Sequence, residues 1–293
     1  MPTVVPFYLV DVFAEVPLAG NPLALVTDAD GLDEPLLKRL AREFNQSETT
    51  FLLPPTDPAA TWRLRSFTAA GVEVLGAGHN ALGAWWWLAA EGGLPAGRYA
   101  QQIGDQVLSV DVVTDHSGAA EVIVMDQAAP TFGAMAADLA AVAEALGLGP
   151  GDLRADIPAR AVDTGAAHLL VPALGRDAVD RAHPDSALLR AELRRTGAEG
   201  CYLYSLDPLN PQAAAYARFF NPTAGIWEDP ATGTAAGPLA AHLVGEGVVA
   251  PGRVLIEQGH AMGRPSLLRI DVDGTRVRLS GAGVVVAGGT LRL

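Results

Sequence analysis

The chain is poor in residues that several common chemistries require. Its 293 residues include one cysteine, Cys201. That rules out an internal disulfide framework and a multi-cysteine zinc site. It equally rules out a racemase working with two thiols. There is also a single lysine, Lys38. A Schiff-base cofactor would have to use it, yet it sits in an amphipathic surface pattern, Glu34 to Leu40, where lysine is ordinarily solvated. Positive charge is scarce: 20 Lys and Arg face 33 Asp and Glu, for a net charge of −13. Nucleic-acid binding needs a basic footprint and is not expected. No run of 18 apolar residues is present, so no membrane span is expected. Met1 to Asp11 lacks a basic region and a cleavage site, and reads as the first strand of a cytoplasmic protein. His116, His168, His183, His242 and His260 are scattered without metal-ligand spacing, so no metal is expected.

What is present is an order of residues that occurs twice. Arg65-Ser66-Phe67-Thr68 is echoed by Arg218-Phe219-Phe220-Asn221, Glu73 by Glu228, and Gly78-His79 by Gly233-Thr234. The offset is about half the chain, which indicates a duplicated domain and not a solenoid. In each copy an acidic residue enters a glycine turn that opens an apolar helix. Asn80 to Ala90 carries Trp85, Trp86 and Trp87 with no charge before Glu91, and Ala235 to Val244 is nearly as apolar. A helix apolar all round must be buried all round. With many short strands available, two lobes are predicted, each a β shell around one helix. Pro238 is placed in the first turn of its helix, where proline is tolerated. A helix is predicted over Leu32 to Phe44, a turn at Pro130 to Gly133, and a helix near Met135 to Leu146.

Candidate chemistry gathers at these helix openings. Glu48, in Asn45-Gln46-Ser47-Glu48-Thr49-Thr50-Phe51, stands where a helix hands over to a strand. Desolvation there would raise its pKa and suit it to accept and donate a proton. A surface glutamate beside a Ser/Thr turn fits the same local sequence. His79 can hydrogen-bond or shuttle a proton, or simply cap its helix. Helix mouths at Gly78-His79-Asn80 and Gly233-Thr234-Ala235 would attract a carboxylate. Asp229 would repel that anion unless it binds an amine or hydroxyl, which favours an amino-acid-like substrate; alternatively it stabilises its own turn. Gly76-Ala77-Gly78-His79-Asn80-Ala81 formally matches a dinucleotide fingerprint, but the repeat explains its glycines as helix openings.

Taken together, these segments resemble the PhzF family of isomerases and, more distantly, the diaminopimelate epimerase superfamily. The resemblance is carried by Asp11-Val12-Phe13 with Gly20-Asn21-Pro22, Asn45 to Phe51, Gly78-His79 with Leu82-Gly83, Met125-Asp126-Gln127, Glu228 to Gly237, and Gly263-Arg264-Pro265-Ser266. It implies an α+β fold of two pseudo-symmetric lobes, each a β barrel wrapped around a central helix, with the active site between them. The expected lobes are residues 1–125, completed by a strand near 281–293, and residues 126–280. It implies no cofactor, no metal and a homodimer. Glu48 takes the place of the acid/base carboxylate, with His79 and Asp229 as its companions and Gly78, Asn80, Gly233 and Thr234 as substrate-binding positions. Thr234 stands where the family has serine, and Leu75-Gly76 depart from its first glycine motif. The implied substrate is a small unsaturated amino acid, trans-2,3-dihydro-3-hydroxyanthranilate or a related intermediate such as an alkylated-proline precursor. An amino-acid epimerase and a non-catalytic binding protein of the same fold are the alternatives.

Overall fold

A computed structural model describes residues 4–293; residues 1–3, the start of the segment read as lacking a leader, lie outside the described residues. In chain order the elements are β1 (Val4–Val12), β2 (Asn21–Val26), α1 (Glu34–Phe44), β3 (Thr49–Leu53), β4 (Trp62–Phe67), β5 (Glu73–Val74), α2 (His79–Ala90), β6 (Gly97–Ile103), β7 (Gln106–Thr114) and β8 (Ala120–Gln127). There follow β9 (Thr131–Met135), α3 (Leu139–Ala145), β10 (Arg160–Asp163), β11 (Ala167–Pro172), α4 (Arg176–Arg181), α5 (Ser186–Thr196), β12 (Gly200–Ser205), β13 (Ala215–Asn221) and β14 (Ile226–Asp229). The chain ends with α6 (Gly233–Gly245), β15 (Gly252–Gln258), β16 (Ser266–Asp273), β17 (Arg276–Gly281) and β18 (Gly283–Arg292). The fold is α+β, and the chain divides into two compact units, Met1–Asp126 with Ser280–Leu293, and Gln127–Leu279.

In the first unit β18 pairs antiparallel with β1, β1 with β2, and β2 runs parallel to β3. The pairing continues through β4, β6, β7 and β8. This sheet receives α2, whose neighbours are β1, β2, β3 and β18. Close approach depends on Gly83: a Cβ there would lie 2.6 Å from Val12 and 2.7 Å from Leu23. On the other side α1 lays Leu37, Leu40 and Ala41 against Val26, Phe51 and Phe67. Asp33 caps its start by accepting from the Leu36 amide, and Asn45 ends it in the left-handed conformation at φ 51°.

The second unit repeats the plan around α6, which β10, β11, β15 and β16 surround. Its outer layer is thicker. Helices α3, α4 and α5 bury Val142, Val179, Leu189 and Leu193 against Leu169, Leu203 and Phe220. Cys201 lies in this core, and burial pushes its thiol up to about 12, so it is no nucleophile.

Three sequence expectations need correction. Pro130 to Gly133 is not simply a turn, because Thr131–Met135 forms β9 against β10. The helix expected from Met135 starts only at Leu139, where the Asp138 side chain accepts from the Ala140 and Ala141 amides. Helix α5 was not anticipated, although its Asp185 cap and its buried Leu189 and Leu193 are local signals. Helix α6 begins at Gly233, so Pro238 lies inside it and not in its first turn. The carbonyl of Thr234 therefore lacks an i+4 amide.

Candidate active site

The duplication seen in the sequence returns as two matching ion pairs. Arg65 on β4 grips Glu73 on β5 with Nε and Nη2, both at 2.7 Å. Arg218 on β13 grips Glu228 on β14 in the same way, at 2.8 and 2.7 Å. Each guanidinium also lies over a phenylalanine two residues on, Phe67 at 5.0 Å and Phe220 at 4.9 Å. Strand register extends the match. Thr49 pairs with Phe67 and Cys201 with Phe220, so Glu48 corresponds to Gly200.

Glu48 precedes β3 and His79 is the first residue of α2. The parallel pairing of β2 with β3 and the seating of α2 on both strands bring the two side chains together. Glu48 Oε2 lies 3.7 Å from His79 Nδ1, with only 13% of the Glu48 side chain and 6% of the His79 side chain exposed. Burial lowers the His79 pKa, and the Glu48 charge only partly offsets this. The imidazole is therefore neutral near pH 7. Its Nε2 is buried and has no hydrogen-bonding partner among the described residues.

The turn before α2 is held by Asn80. Its Oδ1 accepts from the Gly78 amide at 2.8 Å, and its Nδ2 donates to Gly76 O at 3.0 Å and Ser66 Oγ at 3.1 Å. Ser66 Oγ in turn lies 2.9 Å from Thr50 Oγ1. Asn80 thus uses both ends of its amide within the turn, which makes it a shaper of the opening. No side chain caps α2 at Gly78.

In the second unit Asp229 ends β14, 5% exposed, and its Oδ2 accepts from Thr232 Oγ1 at 2.5 Å. Gly233 and Thr234 open α6, again without a side-chain cap. The Gly233 carbonyl accepts from Gln127 Nε2 at 3.0 Å. A Cβ at Gly237 would fall 1.7 Å from Gln127 Oε1, so any side chain there would displace the Gln127 amide. Thr234 Oγ1 lies 3.4 Å from His168 Nε2. His168 stands edge-on to Phe219 and faces Gly200, and burial lowers its pKa to about 3. Sequence reasoning left His168, Tyr202 and Gln258 aside because nothing local marks them; their partners are distant in the chain. Among the described residues no group of three His, Cys, Asp or Glu could hold a metal, and no helix is long and apolar enough to cross a membrane.

The phenazine biosynthesis-like (PhzC-PhzF) family model matches residues 10–289. The chain belongs to the PhzF family. The trans-2,3-dihydro-3-hydroxyanthranilate isomerase of Pseudomonas fluorescens is 34% identical over 297 residues, covering 98% of this chain and 99% of that protein. The crystal structure of a PhzF-family phenazine biosynthesis protein from Bacillus anthracis matches with a TM-score of 0.89 at 25% identity, covering 99% of this chain and all of that one. A hydroxyproline epimerase from Agrobacterium vitis shares the fold, with a TM-score of 0.67 at 14% identity over 99% of this chain and 93% of that one. PhzF relatives are named isomerases, and this chain is an isomerase of that kind.

Proposed function

We propose that this PhzF-family isomerase shifts a proton, and the double bonds with it, within a small unsaturated amino acid, using Glu48 as its acid and base. The observation that supports this is the approach of Glu48 to His79 in a largely dry setting. Glu48 takes a proton from an sp³ carbon beside a conjugated system, exchanges it with solvent, and delivers a proton to a distal carbon of that system. The electron pair moves along the conjugation, and no redox partner is needed. Neutral His79 hydrogen-bonds the developing charge. The uncapped first-turn amides of α2 receive the substrate carboxylate. Within the second unit, Asp229 and Thr234 at the opening of α6 are suited to bind an amino or hydroxyl donor.

An epimerase needs a second base. The position that corresponds to Glu48 in the second copy is Gly200, which favours the single-carboxylate reading. In D₂O with trans-2,3-dihydro-3-hydroxyanthranilate, wild type is expected to place deuterium at the new C–H bond. Glu48→Gln should lose about 10²–10⁴-fold in rate while keeping its fold. Wild-type turnover by that variant would sink the assignment. A cytoplasmic homodimer is the form proposed by family likeness; light scattering at the mass of one chain would exclude the dimer.

A further inference from the structure

The turn that carries Asp229 contains a hydrogen-bond chain whose direction is fixed by groups able to act in one sense only. The Thr232 amide can only donate, and it meets Gln258 Oε1 at 3.0 Å. The Asp229 backbone carbonyl can only accept, and Gln258 Nε2 lies 2.7 Å from it. A flipped Gln258 amide would set donor against donor and acceptor against acceptor, so its orientation is settled. The Tyr202 hydroxyl adds a second donor to Oε1 at 2.8 Å, and burial keeps that phenol protonated. The other face of Nε2 reaches Thr232 Oγ1 at 3.1 Å. Having accepted there, Thr232 turns its own hydrogen to Asp229 Oδ2.

Four elements converge to build this chain: β12 supplies Tyr202, β14 Asp229, β15 Gln258, and Thr232 stands before α6. All four side chains are at least nine-tenths buried. Tyr202 lies within reach of the Asp229 charge. Glu228 is engaged by Arg218, and Glu257 by the Leu209 and Asn210 amides.

We propose that Gln258 is a positioning residue of the candidate site, which acts through Thr232 to hold Asp229 as a charged hydrogen-bond acceptor beside the opening of α6. An acceptor of that charge selects a substrate carrying an ammonium or hydroxyl donor. This rests on the reading of Asp229 as a substrate-orienting group.

The test is the ¹³C carboxyl resonance of Asp229, followed against pH in the ligand-free protein, so that no turnover is required. Thr232→Ser keeps the hydroxyl and is expected to keep the wild-type titration. Thr232→Val removes the donor. Gln258→Glu offers Thr232 a competing acceptor and draws its hydrogen away. In each of these two variants the Asp229 carboxyl should titrate about one pH unit higher, because a charge-assisted bond is lost. The double variant should go no further than the larger single, since the links lie in series. Turnover in both should fall by about tenfold or more. An unmoved carboxyl titration in both, with only the melting temperature lowered, overturns the proposal. Shifted titrations with wild-type turnover overturn it equally. Absence of turnover by the wild-type protein sinks the isomerase reading alone and leaves the carboxyl measurement standing.

Discussion

Arg65 and Arg218 make the same bidentate grip on a corresponding glutamate, yet the two halves use it differently. In the first unit the pair is partly open, with side chains 15% and 31% exposed, and Arg65 Nη2 also donates to Glu34 on α1. In the second unit the pair is closed over, at 9% and 8%. There Arg218 Nη1 donates to the carbonyls of Val179, Asp180 and Ala182, which gather where α4 ends. One arginine steadies a surface helix by charge. The other serves as a buried plug for backbone acceptors, as the thicker outer layer of that unit requires. A duplicated motif keeps its hydrogen-bond geometry while its energetic role follows the layer packed over it.

Removing each arginine measures this contrast directly. Arg218→Met leaves Glu228 buried with its charge unpaired and three carbonyls short of a donor. It should destabilise the protein by about 3–5 kcal/mol in urea titrations. Arg65→Met, with water able to reach Glu73, should cost only about 1 kcal/mol. Equal costs would mean that burial does not separate the two pairs.

A second contrast lies in the histidines. The His168 pKa falls from about 6.5 to about 3 on folding, so the unfolded chain binds the extra proton below pH 6.5. Stability then falls as pH falls. Between pH 7 and pH 5 His168 alone should account for about 2 kcal/mol. Burial of His79 in the first unit acts with the same sign. His168→Gln should flatten the slope over this window; an unchanged slope would show that the proton is taken up elsewhere.

The smallest effect concerns two loop clamps. Gln102 Oε1 accepts from the Thr56 and Asp57 amides at 2.9 and 3.2 Å, holding the loop after β3. At the matching place Glu257 accepts from Leu209 and Asn210 at 2.7 and 2.8 Å, holding the loop after β12. The second clamp is the same device with a charge added. Glu257→Gln should therefore weaken it by about 1 kcal/mol without releasing the loop. Hydrogen exchange at Leu209 and Asn210 reads this, and full exposure of both amides would show that charge, not shape, holds them.

Patterns within a few residues were enough to announce α2 and α6, because a segment without charge on any face has one stable place, inside a shell. They also marked the limits of β3 and β12, and singled out Glu48, His79 and Asp229 by their junctions. Short strands were invisible to such patterns. Two-residue β5 and four-residue β14 exist because β4 and β13 offer them ladder partners, and β9 exists because β10 lies beside it. The polar interior was equally hidden. His168 meets Thr234 from 66 residues away, and Gln258 meets Asp229 and Thr232 across 29 and 26. Hydrophobic periodicity and capping are local, so sequence alone determined the buried helices, the doubled layout and the residue types offered for chemistry. Directional hydrogen bonds between distant strands depend on register and close approach. Only the tertiary structure therefore decided which polar groups touch, and which histidines folding leaves without charge.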